Sequence, residues 1–284
     1  MNTSTPLPQR AFGSTGIRVS VLGLGTVKLG RNQDVKYPEA FAIPDDKAAA
    51  ALIASAKALG VNLIDTAPAY GNSEERLGYL LQGQRRDWII CTKVGEEFEN
   101  GSSRFDFSSM HTRFSIERSL ERLRTDLLDI VLVHSDGNDL DVIYHSGALE
   151  TLARCKEQGL IRAFGVSTKT VAGGIAAVEL SDGVMATHNA LYADELPVLN
   201  FCLERNKGVL IKKALASGHL ENHGISADDS LRTVLAHPAV SSAIVGTINL
   251  QHLEADIRTA HAATAFDQTC LPDSALPGRA SRSA

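Results

Sequence analysis

Eight short apolar runs, each closed by turn residues and followed by a segment of helical period, recur along this chain, and that alternation leaves few architectures open. In order the strand-like runs are Val19–Thr26, Val61–Asp65, Trp88–Lys93, Leu128–His134, Ile161–Ser167, Gly183–His188, Val209–Lys213 and Ser242–Gly246. Between them helices are expected over Asp46–Leu59, with Asp45 as N-cap and Gly60 as stop, and over Glu74–Leu81 behind a capping Ser73. Further helices are expected over Ser109–Leu123, up to Gln158 and Gly159, over Val171–Glu179, over Asp194–Arg205, over Ser226–Ala236 and over Leu250–Ala260.

Near-continuous apolar strands suit a sheet buried on both faces, and no change of composition interrupts the series. The expectation is one parallel (β/α)8 TIM barrel occupying residues 1–265; the 284-residue chain suits a fold whose usual size is about 250 residues. Ahead of the first strand, Arg10–Ile17 has the glycine spacing of a tight β-hairpin, which would plug the barrel's bottom. Residues 266–284 are expected to form a loosely ordered C-terminal tail. Two long loops, Arg31–Ala42 and Glu96–Ser108, should wall the mouth, where Tyr37, Phe41, Phe98, Phe105 and Phe107 either line a pocket or pack the loops down.

Charge and cysteine usage exclude several classes. The net charge of −5 comes without a basic stripe, so no nucleic-acid partner is expected. No apolar run approaches the ~20 residues of a membrane span, so no membrane association is expected. Cys91, Cys155, Cys202 and Cys270 are widely spaced, and Met1–Arg10 lacks the apolar core of a secretory leader; a reducing, cytoplasmic setting is expected, and no metal.

All strands of a parallel barrel end on one face, and that face carries the chemistry. Asp65, Lys93 and His134 close three consecutive strands, and Tyr70 lies just beyond Asp65. Such a set suits protonation of a carbonyl oxygen while hydride reaches its carbon. A free tyrosine has a pKa of about 10, and a neighbouring ammonium would lower it. Lys93 would supply that charge, Asp65 would hold Lys93, and His134 would orient the substrate oxygen or relay the proton. Taken singly each has a bland reading: a turn-forming Asp, a snorkelling Lys, a satisfied structural His.

The motifs Phe12-Gly13-Ser14-Thr15-Gly16, Leu22-Gly23-Leu24-Gly25-Thr26, Asp65-Thr66-Ala67 with Tyr70-Gly71, Ser73-Glu74 and Leu77-Gly78, Thr92-Lys93, and Leu127-Leu128-Asp129 up to Val133-His134 together resemble the aldo-keto reductase superfamily over residues 10–260. The resemblance implies a (β/α)8 barrel, NAD(P)H-dependent interconversion of a carbonyl (aldehyde, ketone or sugar) and an alcohol, and a tetrad of Asp65, Tyr70, Lys93 and His134 with Tyr70 as general acid.

By the same resemblance the cofactor is NADP(H) ahead of NAD(H). Gly25 and Thr26 fall on its side of the first strand, and Ser167 keeps the serine of a Ser-Asn pair in which Thr168 replaces the Asn. The family's strand-six Gln falls on Met185 or Asn189, and its ring-stacking Tyr on Lys212. Gly246, Thr247, Ile248 and Asn249 precede the last helix, where backbone N–H groups and the helix dipole favour a phosphate. Ile248 and His252 stand where a cation for the 2′-phosphate is usual, with Lys212, Lys213 or Arg258 as substitutes.

Two other functions fit parts of the chain. Lys212 or Lys213 could present an amine inside the barrel for a Schiff-base lyase. A non-catalytic cofactor-binding regulatory barrel would also tolerate the atypical Met185 and Lys212.

Overall fold

The computed structural model describes residues 6–269. The chain opens with the antiparallel pair β1 (Gln9–Ala11) and β2 (Arg18–Ser20), followed by β3 (Leu22–Gly25), α1 (Val27–Gly30), α2 (Asp46–Ala58), β4 (Leu63–Asp65) and α3 (Ser73–Leu80). Next come β5 (Ile89–Val94), a second antiparallel pair β6 (Glu96–Glu99) and β7 (Ser102–Phe105), α4 (Ser109–Arg122), β8 (Leu128–His134), α5 (Asp139–His145) and α6 (Ala148–Glu157). The series ends with β9 (Ile161–Ser167), α7 (Val171–Leu180), β10 (Gly183–Thr187), α8 (Leu196–Arg205), β11 (Gly208–Lys212), α9 (Ala227–Leu235), β12 (Ser242–Val245) and α10 (Leu250–Thr269). Strands β3, β4, β5, β8, β9, β10, β11 and β12 close in that order into an all-parallel barrel, β12 pairing back onto β3. This is the (β/α)8 barrel that the alternation dictates.

The period of two along each strand divides the core in two. Val131, Val133, Val184 and Ala186 face the helices, whereas Ile130, Leu132, Cys91, Leu63, Ala163, Met185 and Leu210 fill the interior. The β1–β2 hairpin closes the bottom of that interior: Phe12, Ile17 and Val19 belong to the inner cluster and are fully buried. Phe12 reaches so close to the first residues of β10 and β11 that a Cβ on Gly208 would meet its ring at 2.3 Å and one on Gly183 at 2.6 Å. Glycine is required there because the plug touches backbone.

Several elements depart from the sequence expectation. The expected loop Glu96–Ser108 contains the β6–β7 hairpin, turned at Asn100 and Gly101, both at positive φ. The helix expected to run unbroken to Gln158 is two, divided at Gly147 with φ +84°. Ser73 is the first residue of α3 rather than its cap, and its hydroxyl is turned inward to Thr26. Val19 and Ser20 pair with the plug, so the first barrel strand begins at Leu22. Helix α10 continues past Ala260 to Thr269, and the rest of the expected tail, with Cys270, lies outside the described residues. Asp45 caps α2 as expected, and Ser226, expected as the first helical residue, instead caps α9; their side chains accept from Ala48 and Asp229 N–H.

Helix α10 carries a testable electrostatic cost. Asp256 is buried, and burial alone pushes its carboxyl up to about 7. An acid with a raised folded pKa loses stability as it ionises, so the cost develops as pH climbs from about 3.9 towards that folded value and is complete above it. Asp256→Asn stays neutral throughout. Its melting temperature is expected to exceed that of the parent at alkaline pH, by an amount corresponding to a few kcal/mol (each pKa unit is about 1.4 kcal/mol). The two should converge near pH ~4, which thermal melts across that range will check.

Candidate active site

The parity that puts Leu63, Cys91, Ile130, Ala163 and Leu210 inside the barrel also points Asp65, Lys93, His134, Ser167 and Lys212 inward, two or four residues further along their strands. They therefore form the uppermost inward layer, at the ends from which the helices leave. Register holds the layer together: His134 lies opposite Ser167, and Thr187 opposite Lys212.

Asp65 and Lys93 are almost wholly enclosed, at 3% and 1% exposure, so neither charge would be tolerable alone. Lys93 Nζ donates to Asp65 Oδ1 at 2.7 Å and to the Thr66 carbonyl at 2.9 Å. Burial works against the Lys93 charge, but the Asp65 carboxylate overrides it and holds the ammonium above the ordinary lysine range. Lys93 Nζ also lies 4.7 Å from the centre of the Tyr70 ring. Tyr70 in turn meets the His134 ring edge-on, 6.4 Å between centres at 86°.

The Tyr70 loop is fixed from beneath. Thr66 Oγ1 donates to Ser73 Oγ, which bonds to Thr26, whose own hydroxyl donates to the Asp65 carbonyl at 2.9 Å. Contrary to the sequence expectation, the Tyr70 phenol is raised. Burial is the largest cause, Lys93 lowers it as anticipated, and Asp65 opposes Lys93. Tyr70 is thus a protonated phenol throughout the neutral range, in the state required of a proton donor.

His134 receives a neighbour that the sequence did not single out. Glu96 Oε2 lies 2.7 Å from His134 Nδ1, although off the line of a hydrogen bond. Burial lowers the His134 imidazole, Glu96 opposes this, and Lys93 and Lys212 reinforce it, leaving a neutral ring beside a carboxylate. The Glu96 carboxyl accepts from Ser103 Oγ at 2.6 Å and stands 3.8 Å from Arg31. The negative charge of the Glu96 carboxylate beside Nδ1 electrostatically favours the tautomer with its proton there, leaving Nε2 as an acceptor.

Arg31 is the second such residue. It is buried, stacks on Phe98 at 3.5 Å, and donates to the Ala69 carbonyl at 3.1 Å, binding the first loop and the β6–β7 hairpin to the Tyr70 loop. The Asn100-Gly101 dipeptide was the signal that could have located this hairpin and Glu96 with it.

The aromatic residues of the loops are engaged in packing. Tyr37 and Phe41 meet edge-on at 5.6 Å under Lys28, and Phe105 lies 6.0 Å from Phe107. The Tyr37 hydroxyl sits so near Gly246 that a Cβ there would fall 2.7 Å from it.

The residues expected on the cofactor side are dispersed around the mouth. Ser167 and Thr168 are buried at the end of β9, where Lys212 Nζ donates to Ser167 Oγ at 2.9 Å and to the Thr168 carbonyl. Thr168 Oγ1 is buried without a hydrogen-bond partner among the described residues. Met185 is packed within the inner cluster, and Asn189 uses its amide on the Lys213 carbonyl and Leu191 N–H. Ile248 packs against the outer core, while Asn249 Oδ1 accepts from Gln251 and His252 N–H at the start of α10. Thr247 Oγ1 accepts from Asn249 N–H, and His252 is exposed. Gly25 and Thr26 end β3 beside Asp65, Thr26 being buried. Arg258 borders a cleft with Asp228 and Arg232 of α9.

Comparison with known proteins agrees with this architecture. The model of the Aldo/keto reductase family matches residues 21–229, and the chain belongs to that family. L-galactose dehydrogenase of Arabidopsis thaliana is 35% identical over 236 residues, covering 78% of this chain and 69% of its own. D-threo-aldose 1-dehydrogenase of a Pseudomonas species is 29% identical over 239 residues, covering 74% and 70%. A crystal structure from Pseudomonas aeruginosa, assigned to the aldo-keto reductases, superposes with a TM-score of 0.82 at 52% identity, covering 90% of this chain and 95% of the other. The protein is an enzyme, an oxidoreductase of the carbonyl/alcohol couple. No helix among the described residues is long and apolar enough to cross a membrane.

Proposed function

We propose that this enzyme is an NAD(P)H-dependent carbonyl reductase or alcohol dehydrogenase acting on a small aldehyde, ketone or open-chain sugar, with Tyr70 exchanging the proton on the substrate oxygen. The observation that carries the reading is the meeting of Tyr70 with a buried Lys93–Asp65 pair on one side and the His134 ring on the other.

Hydride for the carbonyl carbon would come from a bound nicotinamide cofactor. The chain fits such a group at the ends of β9 and β11: Ser167 Oγ, Lys212 Nζ and the unpartnered Thr168 Oγ1 offer the donors and acceptors that a carboxamide needs. Gly246 to Asn249 would hold the phosphate end, at the N-terminus of α10.

The protein's own steps are proton steps. Tyr70 donates its phenolic proton to the oxygen as negative charge develops there. Lys93, held charged by Asp65, stabilises the phenolate left behind, and the Nε2 lone pair of His134 can accept from the hydroxyl of the alcohol and so orient it. Residues 1–265 would act as one barrel unit. Free, buried Cys91, Cys155 and Cys202 suit a reducing, cytoplasmic compartment.

The test is consumption of NADPH and NADH, titrated in parallel, against a panel of aldehydes and ketones, together with formation of each from NADP+ and NAD+ on aldoses that include L-galactose. Turnover with at least one carbonyl, and a lower KM for NADPH than for NADH, is the expected result. Tight nucleotide binding without turnover on any carbonyl or alcohol would instead favour a regulatory barrel.

A further inference from the structure

The barrel mouth holds two inward lysines in opposite situations. Lys93 is clamped by Asp65 and locked as a cation. Lys212, at the end of β11, forms no ion pair within 4.0 Å among the described residues, and its Nζ hydrogen-bonds to Ser167 Oγ and the Thr168 carbonyl. A neutral primary amine has two N–H bonds and one lone pair. With both hydrogens taken by these acceptors, the lone pair is left for a third direction, and the side chain is only partly covered, at the open end of the barrel.

We infer that Lys212 is a nucleophilic amine that condenses reversibly with unhindered aldehydes, giving the mouth a covalent carbonyl-binding site in addition to the proton-transfer site around Tyr70. The groups facing it support this assignment. Burial lowers the ammonium to about 7, with Lys213 and Lys169 acting in the same direction and Glu195 and Asp139 against it; of the other titratable groups in the layer, Lys93 is paired with Asp65 and the imidazole of His134 is lowered by burial. Lys213, by contrast, has left-handed backbone with φ +54° and leaves the strand at that point, so the two lysines are not equivalent.

Glu195 is placed to serve the dehydration. It is buried, hydrogen-bonds to Thr187, the register neighbour of Lys212, and keeps one carboxyl oxygen without a partner among the described residues; burial raises its carboxyl. In the proposed step the Lys212 lone pair adds to the aldehyde carbon, and one amine proton passes to the oxygen to give a carbinolamine. Glu195 as the acid then protonates the departing hydroxyl. Water leaves, and a protonated imine remains beside the Glu195 carboxylate. No oxidant or reductant is consumed.

Reductive trapping tests this on the full-length protein, without added nucleotide, using glycolaldehyde and cyanoborohydride near neutral pH, followed by peptide mass mapping. Lys212 should be alkylated about tenfold or more faster than exposed Lys47, because a larger fraction of it is unprotonated. Lys213→Met should keep that fast modification, Lys212→Met should lose it, and the rate should reach half its alkaline limit near pH ~7. Modification of Lys212 no faster than Lys47, or a fast phase persisting in Lys212→Met, would overturn the assignment. If Lys212→Met fails to fold, the wild-type map decides alone. Trapping requires no nicotinamide turnover, so its failure leaves the reductase reading standing, and a failed reductase assay leaves the trapping result interpretable.

Discussion

Tyr70→Phe is expected to lower kcat for carbonyl reduction by about 10³- to 10⁴-fold, at the upper end of what a positioned acid contributes. The substitution removes one oxygen and keeps the ring, so the stack against Lys93 and the edge contact with His134 are retained. Nucleotide affinity, measured by fluorescence titration, should change less than about twofold, because the lost interaction is made to the reacting oxygen as charge develops. The raised phenol pKa also fixes the pH dependence of the parent enzyme: the Tyr70 proton is present at neutral pH and is lost only above the usual tyrosine range, so no falling limb near pH ~7 should belong to Tyr70. Residual turnover above about a tenth of the parent value would assign the proton to a donor other than Tyr70.

What could be read in the sequence follows physical periodicity closely. Strands β8 and β9 are legible to the residue, because their apolar runs are long and their ends are marked by His134 with Ser135, and by Ser167 with Thr168. The inward layer is legible for a geometric reason: parallel strands all end on one face, so residues closing successive strands must approach one another. The β6–β7 hairpin was not, because Glu96-Glu97-Phe98-Glu99 paired with Ser102-Ser103-Arg104-Phe105 has one apolar residue per strand and so no apolar alternation, leaving only the Asn-Gly turn as a signal. Helix α10 outran its expected end since the residues after Ala260 are rich in alanine, which favours helix without marking a face. Glu96, Arg31 and Glu195 act on the site through contacts that join distant segments, and no local pattern encodes those. The direction of the Tyr70 shift was hidden for a related reason: a charged neighbour is visible in sequence, whereas the depth of burial that outweighs it is not.

Lys93→Met carries the largest expected effect on the fold as well as the chemistry. It strands the Asp65 carboxylate at 3% exposure and removes the donor from the Thr66 carbonyl. Loss of one member of a buried ion pair typically costs about 3–5 kcal/mol, and urea unfolding should show a destabilisation of that size. Adding Asp65→Asn removes the stranded charge, and the new amide can donate to a neighbouring carbonyl; the double variant should recover more than half of the lost stability. Activity should behave differently, staying near the floor in both variants because neither has a cation beside Tyr70 to stabilise the phenolate. That divergence separates the pair's two roles in one double-mutant cycle. Equal stability losses in the single and double variants would mean that the stranded charge is not the source of the cost, and that Lys93 supports the barrel mouth through its packed aliphatic chain instead.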